Sequence, residues 1–376
     1  MIPRAIADQI RQDLLNYRKI IVLYGARQVG KTTLIREVLA QLPFKKLEVN
    51  ADQLKYQEVL SSRDLTRMLE LIGDRELLFI DEAQQIPSIG INLKILHDQM
   101  PGLKIIATGS SSFDLANQMS EPLTGRTKTY RLYPVAIQEL LRQQTPFEIK
   151  DRLEQYMLYG MYPEVLELKG REEKIAHLRE LASSYLYKDI LQLSNIRHSD
   201  KIVKLLKLLA FQTGSPVSLH ELGKSLEMSH ETVSHYIDLL EKGFIVFRLS
   251  AYSRNLRKEI SKMNKIYFYD TGIRNMLIEN FNPLQWRQDT GFLWKNFLVA
   301  ERIKKLAYSS TYGGIYFWRT YGGAELDFVE ERDGKLFGYE FKWKAASAKA
   351  PASWLDGYAE ASYQVINRDN FLELVG

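Results

Sequence analysis

The chain has 376 residues, 45% of them hydrophobic and 26% charged, an ordinary composition for globular protein and a length that suits two or three domains better than one core. Zero cysteines exclude disulfides and thiolate zinc sites, and the six histidines are scattered without paired ligand spacing, so any metal is expected to be a hard cation on oxygen ligands. No apolar run approaches the ~18 residues of a membrane span, the opening MIPRAIADQIRQDLL is charged, and a net charge of +5 allows nucleic acid as a partner without demanding it; the chain is expected in the cytoplasm, away from membranes.

The first readable element is KIIVLYGARQVGKTTLIREVL, residues 19 to 39. A β-rich run, Ile20 to Tyr24, leads into Gly25 to Thr32, which fits G-x-x-x-x-G-K-[ST] in full and opens a helix-like run. Glycines belong there because backbone N–H groups must wrap phosphate oxygens at the positive end of the following helix. Gly25, Ala26, Arg27, Gln28, Val29, Gly30, Lys31, Thr32 and Thr33 are therefore expected to hold ATP. Lys31 would reach the β and γ phosphates, and the Thr32 hydroxyl would ligate Mg²⁺.

A second half of the same site follows at RELLFIDEAQQIP, where Leu77 to Ile80 reads as a buried parallel strand ending in Asp81 and Glu82. Ligands of open α/β sheets bind at the carboxyl ends of strands. Asp81 is expected in the Mg²⁺ shell, and Glu82 is expected to polarise the attacking water. A third strand, LKIIATGSSS from Leu103, ends in Thr108, Ser110 and Ser111. These short polar groups either sense a γ phosphate or form a turn that caps a helix.

In this order GARQVGKTT, LLFIDEAQ, ATGSSS, LTGRTKTYRLYPVAIQEL, YGMYPEV, YLYKDI and KIYFYDTGI resemble the bacterial and archaeal AAA-type P-loop ATPases that carry a C-terminal nuclease-like region of undefined function. The resemblance covers nearly the whole chain and implies ATP hydrolysis with Mg²⁺ in a homo-oligomer, a ring among its open arrangements. It also makes Arg126 a candidate for contacting nucleotide phosphate across a subunit boundary; the other reading is a structural salt-bridge arginine.

After about residue 140 the pattern turns helical, with apolar residues three and four apart. Asp189 in YKDI is a family mark, and such an acid more often caps or pairs than catalyses. VSLHELGKSLEMSHETVSHYIDLLEKGFIVFRL then places helices at Leu219 to Leu226 and Glu231 to Lys242 before a β run, the outline of a helix-turn-helix with a wing. Arg248, Arg254, Arg257, Lys258, Lys262 and Lys265 trail that unit and are expected at a DNA backbone. Against that, Glu231, Asp238 and Glu241 on the second helix would repel phosphates, and winged helices also serve as packing modules.

Near the end, AELDFVEERDGKLFGYEFKWK reads as a hairpin whose Asp333-Gly334 turn sets the register. Asp327 then lies opposite Glu340 and Glu325 opposite Lys342, all on one face, with Leu326, Phe328, Phe341 and Trp343 on the other. Facing carboxylates repel unless a cation lies between them. The arrangement is similar to the PD-(D/E)XK nuclease core, which implies Mg²⁺ on Asp327 and Glu340, Lys342 steadying water or phosphate charge, and Glu301 of the preceding helix as an added ligand. The alternative is an ordinary charged hairpin with a Glu325–Lys342 ion pair.

The expectation is an α/β chain in three parts: a P-loop AAA-type ATPase core over 1–140, a helical and winged-helix middle over 141–280, and a PD-(D/E)XK nuclease-like α/β domain over 281–376. ATP-driven processing of DNA is the most coherent function. The rivals are a nucleotide-controlled switch whose C-terminal domain is an inactive binding module, and a defence or signalling ATPase.

Overall fold

The computed structural model describes residues 2–109, 123–183, 199–253, 263–309, 311, 313–344, 348–358 and 360–376. It divides into two units, residues 3–134 with Lys242–Phe244 and residues 135–241 with 245–376. Among the described residues no helix is long and apolar enough to cross a membrane.

The first unit is built on five parallel strands: β1 (Ile20–Gly25), β2 (Lys46–Asn50), β3 (Leu77–Asp81), β4 (Lys104–Gly109) and β5 (Thr127–Leu132). Every residue of β1 is buried, as expected of an apolar run covered by helices on both faces. The sheet order β2-β3-β4-β1-β5 sets β4 between the strands that carry the phosphate loop and the acidic pair. Helix Lys31–Ala40 returns over the sheet and buries Leu34, Ile35, Val38 and Leu39. This parallel α/β layer is the ATPase core read from the sequence.

In the second unit the expected helices form at Leu219–Leu226 and His230–Lys242. The Ser218 hydroxyl caps the first by accepting from the Glu221 N–H. Seven strands make one sheet, β12-β11-β10-β9-β7-β8-β6: β6 (Pro216–Val217), β7 (Val246–Ala251), β8 (Asn264–Phe268), β9 (Gly314–Arg319), β10 (Glu325–Arg332), β11 (Lys335–Phe341) and β12 (Ser362–Ile366). β7 runs parallel to β9 and β11 parallel to β12, while the other neighbours are antiparallel. The 19-residue helix Thr290–Tyr308 lays Trp294, Phe297 and Leu298 against Phe317, Phe328 and Phe341. Trp318, Leu326, Val329 and Trp354 form a separate, smaller core.

The hairpin turn is as read: Asp333 and Gly334 both have positive φ, 50° and 74°, the mirror-image turn that suits strand twist. Pairing runs from Arg332 with Lys335 to Phe328 with Tyr339, the register that turn implies. One expectation fails. Leu326 and Phe328 do not share a face, because the β10–β9 register shifts between Leu326 and Val329, and the bulge turns Leu326 into the smaller core while Phe328 stays under the long helix.

An ion triad ties the start of that helix to helix Thr271–Leu277. Asp289 accepts from Arg274 at 2.5 Å and from Arg287 at 2.8 Å. Burial pushes the Asp289 carboxyl up, but the hydrogen bonds and charges of Arg287 and Arg274 outweigh it and hold it at about 2. A carboxyl lowered in this way stabilises the fold in full above its ordinary range and loses that contribution as pH falls toward 2. The stability gap between wild type and Asp289→Asn is therefore expected to shrink by about 2 kcal/mol between neutral pH and pH ~2. Denaturant titrations across that range check it, and a pH-independent gap would remove Asp289 from acid unfolding.

Candidate nucleotide site and the C-terminal acidic pair

The loop leaving β1 is shaped by backbone constraint. A side chain at Gly25 would put its Cβ 2.2 Å from the Leu132 carbonyl oxygen on the neighbouring strand, so only glycine fits. Gln28 and Gly30 take left-handed conformations, φ 57° and 92°, which turn successive amides toward one concavity at the start of helix Lys31–Ala40. The Lys31 ammonium crosses the loop and donates to the Gly25 and Ala26 carbonyls at 3.0 and 2.9 Å.

The sheet order brings the remaining groups together. The Thr32 hydroxyl donates to Asp81 Oδ2 at 2.8 Å. Thr108, fully buried at the end of β4, donates to Asp81 Oδ1 and accepts from the Glu82 N–H at 3.4 Å. Mg²⁺ keeps several waters and asks for one or two protein oxygens beside phosphate, and a hydroxyl and carboxylate in contact at the mouth of a phosphate loop fit that demand. Thr32 and Asp81 are the residues that would hold it. Glu82 has a left-handed backbone, φ 54°, ψ 43°, and its carboxylate accepts from the Gln84 side-chain amide.

Two residues of this neighbourhood escaped the sequence reading. Arg4 is buried and donates to the Val29 carbonyl and the Tyr133 carbonyl, both at 2.6 Å, riveting the phosphate loop from 25 positions away. Gln84 lies two residues beyond Glu82, inside the same motif, and its side-chain amide donates to the Glu82 carboxylate. Neither carries a local signal, because each is defined by the partner that folding brings to it. Ser110 and Ser111 lie outside the described residues, as does Asp189.

Arg126 stands at the foot of β5 in a two-pronged ion pair, Nε and Nη2 donating to Asp98 at 2.9 and 3.1 Å. The Arg126 hydrogen bond, with help from His97, holds the Asp98 carboxyl at about 2. Of the two readings for this arginine, the salt bridge is the arrangement present.

The trailing basic residues turn inward where they are described. Arg248 donates to Asp238 at 2.6 Å and to Glu241 at 2.5 Å, neutralising two of the acids on helix His230–Lys242. Lys265 is fully buried and pairs with Glu325. Arg254, Arg257, Lys258 and Lys262 lie outside the described residues.

At the hairpin, Asp327 is 1% exposed and both its oxygens are engaged: Oδ1 with Lys295 Nζ at 2.5 Å, Oδ2 with the Phe341 N–H at 2.9 Å. Glu340 pairs with Lys342 at 2.6 Å. Burial first, and then the Asp327 charge, push the Glu340 carboxyl up despite that lysine. Lys342 is thus the partner of Glu340, and in place of the alternative Glu325–Lys342 pair Glu325 meets Lys265 and Arg319.

Glu301 is buried elsewhere, accepting from the Ile137 N–H at 2.6 Å and from Lys304 at 2.6 Å. Among the described residues no group of three or more His, Cys, Asp or Glu side chains is placed to hold a metal. The repulsion that a divalent ion would relieve is already met by two ammoniums, so this pair does not fit a metal as arranged. Lys295, one helix away in sequence, is the residue that the hairpin pattern could not reveal.

Residues 17–141 match the AAA domain family, residues 150–284 a domain of unknown function (DUF8612), and residues 290–372 a domain of unknown function (DUF4143). Over 343 residues the chain is 30% identical to the Mycobacterium tuberculosis "Uncharacterized protein Rv2008c", covering 90% of this chain and 73% of that one. It stands in the same relation to the Mycobacterium bovis "Uncharacterized protein Mb2031c". Among solved structures it is similar to the Walker-type ATPase paby2304 of Pyrococcus abyssi, with a TM-score of 0.52 and 16% identity over 72% of this chain and 94% of the other. That likeness speaks for the fold.

Proposed function

We propose that this ATP-hydrolysing enzyme, which belongs to one family with the mycobacterial proteins Rv2008c and Mb2031c, couples ATP turnover to the binding or movement of DNA. The working parts are an AAA-type ATPase over 1–140, a helical and winged-helix part over 141–280 and a PD-(D/E)XK-like part over 281–376, acting in the cytoplasm as a homo-oligomer. The loop from Gly25 to Thr33, with Lys31, holds the phosphates. Thr32 and Asp81 carry Mg²⁺, which when bound neutralises phosphate charge; Glu82 orients the attacking water, and Thr108 fixes Asp81 and the Glu82 amide. Arg126 serves a neighbour's nucleotide only by leaving Asp98.

The observation that carries the DNA reading is the order helix Ser199–Phe211, β6, two helices, β7, β8, with β8 bonded between β7 and β6. That order supports the winged-helix reading, and Arg248 removes much of the acidic repulsion on helix His230–Lys242. ATP turnover is expected to rise severalfold with single-stranded, duplex or branched DNA. Turnover unchanged by all three would take DNA out of the function.

One observation favours the second reading, a nucleotide-controlled switch whose C-terminal domain binds without cutting: Asp327 and Glu340 each already carry a lysine. Wild type and Lys342→Ala are expected to be equally inert toward plasmid DNA with Mn²⁺. Nicking by wild type that Lys342→Ala abolishes would restore the nuclease.

A further inference from the structure

A cavity of about 360 Å³ opens between helix Leu153–Tyr159 and helix Arg171–Leu181, walled by Asp151, Glu154, Tyr159, Lys169, Arg171 and Lys174. Its size lies in the range of small-molecule sites. A smaller hollow shares the Lys174 wall and adds Arg152.

Lys174 is the unusual member. It is 8% exposed, and among the described residues no carboxylate lies within ion-pair distance of it. The nearest side-chain acceptor is Gln155 Oε1 at 3.5 Å, and the ammonium rests 5.3 Å from the centre of the Tyr159 ring. Burial and then the like charge of Arg152 push its pKa down. A buried ammonium without a counter-charge is costly, and here a second cation stands near it.

The acids of the wall do not answer it. Glu154 Oε1 accepts from the Leu284 N–H at 2.9 Å, and Asp151 is exposed at the rim. Arg171 Nη2 donates to the Phe281 carbonyl at a long 3.4 Å. Three cationic side chains, Lys169, Arg171 and Lys174, therefore line a hollow with two carboxylates, one of them accepting from a backbone N–H, and Arg152 adds a fourth cation in the adjoining hollow across Lys174.

We propose that this cavity binds the phosphate group of a small soluble molecule, with Lys174 at its floor and Lys169 and Arg171 in its wall. A phosphate dianion supplies the charge that Lys174 lacks and enough acceptor oxygens for several donors at once. Leu158 and Tyr159 leave room for an apolar or ring-bearing body beside it.

The test uses the full chain carrying Lys31→Ala, which takes the phosphate loop out of play, and titrates inorganic phosphate by calorimetry. Saturable binding is expected, and adding Lys174→Met is expected to weaken it about tenfold or more, the loss of one charge-assisted contact. A merely structural lysine predicts that Lys174→Met lowers the melting temperature without phosphate. A ligand site left short of counter-charge predicts an unchanged or higher one.

Arg171→Gln, in the wall of the same cavity, gives a second variant should Lys174→Met fail to fold, and it too is expected to weaken phosphate. Equal affinity with and without Lys174, or no saturable binding to the parent, overturns the proposal. A 5′-phosphorylated oligonucleotide that binds more tightly than phosphate and depends on Lys174 would overturn the small-molecule source and assign the phosphate to a nucleic-acid end. Neither arm uses ATP turnover, so the outcome is independent of the DNA-coupled reading.

Discussion

Glu82→Gln is expected to leave ATP bound and to lower turnover by about 10²–10⁴-fold, the span that a positioned general base contributes. Glu82 follows Asp81 directly, and its backbone sits in the left-handed region, where a non-glycine residue costs on the order of 1 kcal/mol. The Thr108 hydroxyl meets its N–H, so the conformation is fixed from the neighbouring strand. Lys31→Ala is expected to act one step earlier. It removes the ammonium that spans the loop between the Gly25 and Ala26 carbonyls, and nucleotide affinity should fall with turnover. Fluorescent-nucleotide titration beside phosphate release separates the two variants, and wild-type turnover in Glu82→Gln would take the base role away from Glu82.

The second large effect concerns stability. Arg302 Nε and Nη2 clasp Glu330 at 2.5 and 2.9 Å, and Nη1 donates to the Leu374 carbonyl at 2.7 Å. Glu330 is 1% exposed. Stripping one partner from a buried pair leaves an uncompensated charge, so Arg302→Met is expected to cost about 3 kcal/mol, near the lower end for such changes, because Arg332 still reaches Glu330 at 3.0 Å. The double change Arg302→Met with Glu330→Gln should recover much of that loss, since it removes both charges. Chemical denaturation of the four proteins measures the coupling. If the double variant is as unstable as the sum of the singles, the cost lies in packing.

What the sequence revealed follows from how local its signals are. The phosphate loop, Asp81 with Glu82, and the Asp333-Gly334 turn are each determined within a few residues, and the loop, the strands and the hairpin register from the turn as far as Phe328 with Tyr339 are found where the pattern put them. The face assignment of Leu326 was lost because a bulge depends on the neighbouring strand, which alternation cannot see. The same holds for charge. Lys295 and Asp327 are 32 positions apart, Arg4 and Tyr133 are 129 apart, and an expectation of a metal between two acids gave way to a lysine supplied by a helix. The inward turn of Arg248 and Lys265 likewise needed the fold, since a basic run in sequence does not say which way its side chains point.

The pairing of β7 with β9 has a practical side. Ser250 sits against Tyr316 and Ala251 against Phe317, and the Tyr252 N–H donates to the Phe317 carbonyl at 2.7 Å. A chain cut between Phe268 and Thr290, a natural place to separate fragments for expression, would strip each piece of its neighbour and bare two strand edges. Such edges recruit other strands, so the fragments would be expected to pair with copies of themselves and precipitate. They should remain in solution together only when co-expressed, as the halves of one split protein.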